Sequence, residues 1–579
     1  MDAARASVPS RAAFGLLALG LLLITPLVFS RAFTDQFIYI KLLLTKGLVL
    51  AGALAFALSL IWGRSRWPGN SRLGLPLAML VLAVLVSCVM SPRPAFSLLE
   101  AESFLAGPLW LAMLLIWGGG ESRVRSLATL IALAASGVAA IALLQWAGHD
   151  PMLFGGYHVE WGTMRSSMRL YSTFGNPNLV AGYLIGAVFA ALALAASSPT
   201  RRGRFFCAAS VLIIFAAILG TRSRGAWLGL AAGLVVARKF WARGAEAAPT
   251  PGIVTLRAAL LPAGLLITLA SLAPNMQALI SHLEGRLYLC RAAWPMFTEH
   301  PLFGGGWGMF QLRFLELQAQ FLGAHPEYIR YWTHTRQLHN DLLQILLEAG
   351  AVGLVAFGWL LWSFAREVRS LSRRASRTER VWLAASVGGA TAILVDSIFN
   401  FQLSVPPTFI LLFTFLAIPQ MLQERGPAGA SVGATGRTRV ALRWIASLTV
   451  LGVVLFLALG TVRRARAEHS LALGWEQERR GNPAAAEHSY RAGLALAPGD
   501  GPLHYALARS LYVQRQYVAA LAEALVAGYT VSDSHLEVLK ARIQDQMGFR
   551  SPALEAYRHA LRLDPTLKSV RADVERLSE

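Results

Sequence analysis

The chain has 579 residues, 55% hydrophobic and 15% charged, with a mean hydropathy of +0.50. A soluble protein carries roughly 25% charged residues, so this composition excludes a single water-soluble globule. The net charge of +21 would suggest nucleic acid in a soluble protein, but 37 of the 53 Lys+Arg fall in the hydrophobic residues 1–462, so membrane topology accounts for it and no nucleic-acid partner is expected.

Apolar runs long enough to span a membrane, about 20 residues each, occur near 14–30, 38–62, 73–90, 104–118, 126–147, 178–197, 205–220, 225–241, 256–273, 341–364, 381–400, 406–422 and 441–462. They predict an all-α fold: a polytopic transmembrane bundle of about 12–13 helices. The first run, preceded by Arg5 and Arg11, has the look of a secretory signal. With the N-terminus inside, 24 of the 37 basic residues fall in alternate connections, the bias expected of cytoplasmic loops. Two long connections, Gly148 to Pro177 and Pro274 to Asn340, then face outward. Arg463, Arg464 and Arg466, just after the last run on the predicted outer side, oppose the rule.

Residues 463–579 are nearly neutral and carry a repeat. Leu473-Gly474, Ala486, Tyr490 and Pro498 have the spacing of a tetratricopeptide repeat; Ala553, Tyr557, Ala560 and Pro565 reproduce its second helix about two 34-residue periods later, and Leu507-Ala508 with Ala520 fit between them. The expected organisation is a membrane domain, 1–462, with a large outer loop at 274–340, followed by a small α-helical repeat solenoid, 463–579.

Three groups of residues have chemical character. Arg222 and Arg224 flank Ser223 in a turn between two short helices, where arginine is costly unless it meets an anion or snorkels to headgroups. Arg286 and Arg291, five residues apart, would point about 140° from one another on a helix and so would not serve one face. His334 and His339 precede the helix beginning at Asp341, where Asn340 or Asp341 would cap it and the positive helix end favours the neutral imidazole that a general base requires. The glycines of His300-Pro301-Leu302-Phe303-Gly304-Gly305-Gly306 permit close backbone approach to a ligand or simply a turn. No Asp-X-Asp or His-Glu-X-X-His motif and no metal-type cysteine pairing occurs among Cys88, Cys207 and Cys290, so neither a metal nor another cofactor is expected.

His339-Asn340-Asp341-Leu342-Leu343-Gln344, running on to Glu348-Ala349-Gly350-Ala351-Val352-Gly353-Leu354, resembles the signature of the O-antigen ligase and polymerase superfamily, as do the His300–Gly306 segment, Ser223-Arg224-Gly225 and Phe174-Gly175-Asn176-Pro177-Asn178. The resemblance covers roughly residues 30–425. It implies a multi-pass bacterial inner-membrane glycosyltransferase that works at the periplasmic face, takes glycans from undecaprenyl diphosphate and inverts the anomeric configuration. The acceptor would be a lipid A core, a polysaccharide or a protein hydroxyl. By this resemblance His339 matches the base, Arg224 and Arg286 the diphosphate-binding arginines, with Arg291 adjacent; Arg222, Arg169, His334 and Asn340 are supporting candidates that no family motif assigns. The repeat tail would recruit a protein partner. Two other classes fit parts of the sequence. A lipid-linked glycan transporter would use buried charges such as Lys46 and Asp396, though no inverted repeat is visible, and a membrane scaffold would depend entirely on residues 463–579.

Overall fold

The computed structural model describes residues 8–61, 71–117, 119–151, 170–242, 276–423 and 437–579, with no strand among them. Twelve of the thirteen apolar runs are helical; the run at 256–273 lies outside the described residues. In chain order the membrane helices are α1 (Val8–Ala18, prolonged by a π-helical turn at Leu19–Ile24), α2 (Tyr39–Ile61), α3 (Gly74–Met90), α4 (Pro94–Trp117), α5 (Glu121–Trp146), α6 (Pro177–Ser197), α7 (Arg201–Thr221) and α8 (Arg224–Ala242). Two helices of the long connection follow, α9 (Met276–Ala293) and α10 (Phe310–Ala324), then α11 (Asp341–Ser372), α12 (Arg377–Asp396), α13 (Pro406–Leu422) and α14 (Arg437–Arg479). Seven, namely α2, α4, α5, α6, α7, α11 and α14, are long and apolar enough to cross a membrane.

Two all-round apolar helices, α6 and α13, occupy the centre, α13 burying nearly every residue and α6 most of its residues, as expected of helices without a polar stripe. Against this centre α8 packs on α12 at unusually short range. A Cβ on Gly229 would stand 2.5 Å from the Ala392 carbonyl oxygen, and one on Gly233 2.5 Å from that of Gly388. Small residues every fourth position let the two backbones touch, and the same stripe sets Gly225 against Asp396 at the far end.

The glycine cluster at 304–306 meets the protein's own backbone. Helix α11 is broken at Gly350 (φ 69°, ψ −172°). The main chain freed there is bonded by the preceding connection: Ala351 N donates to Pro301 O at 2.9 Å, Val352 N to Leu302 O at 3.1 Å, Gly305 N to Leu347 O at 2.9 Å and Gly306 N to Glu348 O at 3.1 Å. Glu348 is buried and accepts from Phe310 N. A broken helix inside a membrane requires such partners, so the His300–Gly306 and Glu348–Val352 motifs are two halves of one structural lock. Gly304 has φ 73°, and a Cβ there would lie 2.6 Å from Ala349 N. Gly304→Ala is expected to destabilise by about 1–3 kcal/mol, read as a lower melting temperature in detergent.

Contacts sort the connections into two ends. Arg72 pairs with Glu367 at 3.4 Å, Gly120 N donates to Met421 O at 2.8 Å and Arg125 reaches Ser197 O at 3.3 Å, gathering most of the described basic connections at one end. At the other end lie the 222–225 turn, the start of α11 and the 397–403 connection, because Asp341 N donates to Ser397 O at 2.8 Å and Gly225 abuts Asp396. The 43-residue α14, about 65 Å long, leaves the membrane at this second end and continues into the tail. There Arg464 pairs with Glu102, which also pairs with Lys46 at 3.5 Å. Arg464, an exception to the basic-loop rule, is thus held by a partly buried carboxylate, and Lys46 has a counterion within the fold.

Beyond Arg464 the chain forms consecutive helices: the end of α14 with α15 (Pro483–Leu496), α16 (Gly501–Val513) with α17 (Tyr517–Ala527), and α18 (Ser534–Gln546) with α19 (Arg550–Leu563), closed by α20 (Lys568–Ser578). Ala486, Ala520 and Ala553 are each fully buried, as are Tyr490, Ala524 and Tyr557 at the next turn. These helices sit against the long connection: Trp332 Nε1 donates to Leu563 O at 2.8 Å, and His559 bridges Glu316 of α10 at 3.2 Å and Glu537 of α18 at 3.3 Å. Glu537, and after it Glu316, raise the His559 pKa above the ordinary 6.5 against the opposing effect of burial. Lys540, 2.5 Å from Glu537, is the neighbouring cation. A raised folded pKa means the contact is fully strengthened below the unfolded value and weakens as pH rises through the folded one. Protection of α10 and α19 amides, after correction for intrinsic exchange, is expected to fall as pH rises through the raised His559 pKa, and this loss of protection to be absent in His559→Gln.

Candidate functional site

His339 stands one residue outside α11 in the left-handed region, φ 60°. Among non-glycine residues that conformation is uncommon and marks a side chain whose direction matters. Asn340 is the N-cap, its side chain accepting from Leu343 N at 3.0 Å, so its amide oxygen is used locally. Asp341 is buried and accepts from Leu403 N at 2.9 Å, tying the helix start to the connection after α12. Phe401 from that connection meets the His339 ring edge to face, centroids 4.9 Å apart. Held this way, His339 keeps Nδ1 buried without a hydrogen-bond partner among the described residues.

Asp396, at the end of α12, is the hub beside it. It is fully buried and accepts from Asn400 Nδ2 at 2.6 Å and Gln402 Nε2 at 2.8 Å. Gln402 also donates to Asn178 O at 2.9 Å, which brings in the Phe174–Asn178 motif, whose Asn176 caps α6. Gly225 packs directly on the Asp396 carboxylate: a Cβ would stand 2.7 Å from Oδ1. Arg286 on α9 lies near enough for Asp396 to stabilise its charge, yet burial pulls its pKa down overall and Nη1 has no partner among the described residues. Two buried nitrogens without partners among the described residues thus belong to this site: Arg286 Nη1, close enough to feel the Asp396 charge, and His339 Nδ1, whose ring meets Phe401 of the connection after Asp396. Native folds seldom leave such groups unpaired without a functional reason.

The remaining candidates divide. Arg224 opens α8 and is half-buried beside Gly225; Arg222 caps α7 with φ 55° and is exposed. Arg291 lies apart from Arg286, donating to the Tyr328 hydroxyl at 2.7 Å on the surface of the long connection, in keeping with their opposed directions on one helix. His334 is exposed. Arg169 lies outside the described residues. Gln402, Phe401 and the hub role of Asp396 are the site features that sequence reasoning missed; the one sequence signal was Asp396 as a lone carboxylate near a membrane helix end.

Residues 208–358 match the model of the family described as O-antigen ligase. The match makes this segment O-antigen ligase-like and agrees with the resemblance read from the sequence. The matched segment contains Arg222, Arg224, Arg286, Arg291, His334, His339 and Asn340, whereas Asp396 and Gln402 lie beyond it. No curated protein matches the chain. The match supports membrane glycosyl transfer of the O-antigen ligase and polymerase type in general, a family that implies lipid-linked polysaccharide substrates.

Proposed function

We propose that this protein transfers a glycan from undecaprenyl diphosphate to an acceptor hydroxyl at the periplasmic face of the bacterial inner membrane. The observation that carries the reading is the pair of unpartnered buried nitrogens, His339 Nδ1 and Arg286 Nη1, around one end of the bundle. His339 accepts the proton of the acceptor hydroxyl, whose oxygen attacks the anomeric carbon. The bond from that carbon to the diphosphate breaks, and undecaprenyl diphosphate leaves with its new negative charge facing Arg286, Arg224 and Arg222. Guanidinium donors suit that charge because they bind phosphate oxygens in pairs, and histidine suits the proton transfer at neutral pH. Direct displacement inverts the anomeric centre and needs no metal.

The basic end then faces the cytoplasm, which agrees with its excess of arginine. Residues 1–462 form the transferase domain. Residues 463–579 form a tetratricopeptide domain that recruits a partner or acceptor; the helix pairs and their buried alanines support this assignment. The acceptor is a lipid A core, a growing polysaccharide or a protein hydroxyl. Gene deletion followed by profiling of lipopolysaccharide, exopolysaccharide and glycoproteins is expected to show loss of one class. All three unchanged, together with no transfer by purified protein in liposomes carrying the lipid-linked glycan, would overturn the reading.

A further inference from the structure

The second helices of the three tail pairs share one register but not one surface. On α15 the outward residues include His488 and Arg491, and on α19 they include Glu555, Arg558 and Arg562. On α17 they are Val518, Ala522, Leu525 and Val526, followed by Tyr529 just past the helix end. Val518 is 73% exposed, Leu525 58% and Tyr529 73%. Residues 518, 522, 525 and 529 recur every three or four positions, so they form one ridge. The single charge on α17, Glu523, turns the other way to His504 at 2.5 Å.

The end of this ridge is fixed in place. Arg93 donates to Tyr529 O and lies 5.6 Å from its ring centroid. Arg93 belongs to the short α3–α4 connection, three residues after Met90, which with Val89 is an exposed apolar residue in the last turn of α3. The apolar ridge therefore begins where the lipid-facing surface of the bundle ends. Arg463 and Arg466, just past the apolar run of α14, are exposed and supply positive charge on the way into the tail.

We propose that the outward face of α17 rests in the headgroup layer of the membrane that holds the bundle, with Val518 and Leu525 among the upper acyl carbons and Tyr529 at the boundary. Uncharged apolar ridges with an aromatic end partition to that layer. The tail is thereby held to the lipid surface beside the site, independently of whether the glycan-transfer reading holds.

The test uses the full chain in nanodiscs of phosphatidylethanolamine and phosphatidylglycerol. Leu525→p-benzoylphenylalanine, and separately Val518→p-benzoylphenylalanine, are irradiated and the intact mass is measured. A shift by one phospholipid is expected at both positions and at a Met90 control, and none at Arg491. A chain-to-chain adduct at 518 or 525 would assign the ridge to a second copy, and no lipid adduct at either while Met90 labels would place it in water; each result overturns the proposal.

Discussion

His339→Ala is expected to lower glycan transfer by about 100- to 10,000-fold, the usual contribution of a positioned general base. The site geometry makes this separable from folding. His339 sits outside α11, and the helix is capped by Asn340 and tied by Asp341, neither of which the substitution touches. The backbone is the one complication, since φ is 60° and alanine pays about 1–2 kcal/mol in that region. His339→Asn removes the imidazole while tolerating the left-handed conformation. Both variants should insert normally, the Asn variant should melt close to the parent, and both should fail in transfer from lipid-linked glycan. Transfer at the parental rate by His339→Asn would remove this residue as the base.

Arg286→Gln is expected to cost about 100- to 1,000-fold in transfer with little loss of stability. A buried cation is expensive, and here one guanidinium nitrogen lacks a partner while the facing Asp396 retains Asn400 and Gln402. Asp396→Ala should behave differently. It strips the acceptor from two buried amides and leaves Arg286 without its counter-charge, a loss of about 3–5 kcal/mol. The pattern to look for in parallel melting and transfer assays is activity lost alone at 286 and both lost at 396. Equal destabilisation by the two variants would make Arg286 a structural cation.

Hydrophobic run length makes the helices legible without any structure, because burial in lipid requires an apolar span whatever its neighbours. The resemblance at His339, Arg224 and Arg286 was equally visible, since these residues sit in compact local motifs. The role of His300–Gly306 was not visible. Glycines that approach a ligand and glycines that approach a backbone have the same composition, and only the break at Gly350 shows which occurs here. The helical spacing of Arg286 and Arg291 already set them on different faces, but only the fold shows that one goes toward Asp396 and the other to Tyr328.

The sequence alone determined that the chain is a helical membrane protein with a basic bias in alternate loops and a less hydrophobic helical tail, because lipid and topology act on each segment separately. Tertiary structure alone decided that the 222–225 turn and the start of α11 share one end of the bundle and that the tail helices pack on the 276–340 connection. The arginines after the last membrane helix oppose the charge rule, and one of them, Arg464, is held by the partly buried Glu102 carboxylate, so it is not a free loop cation of the kind the rule counts. Asp396 reads in the sequence only as a buried charge near a membrane helix end. It becomes the centre of the site only when α8, α9 and the 397–403 connection, each remote in the chain from at least one of the others, close around it.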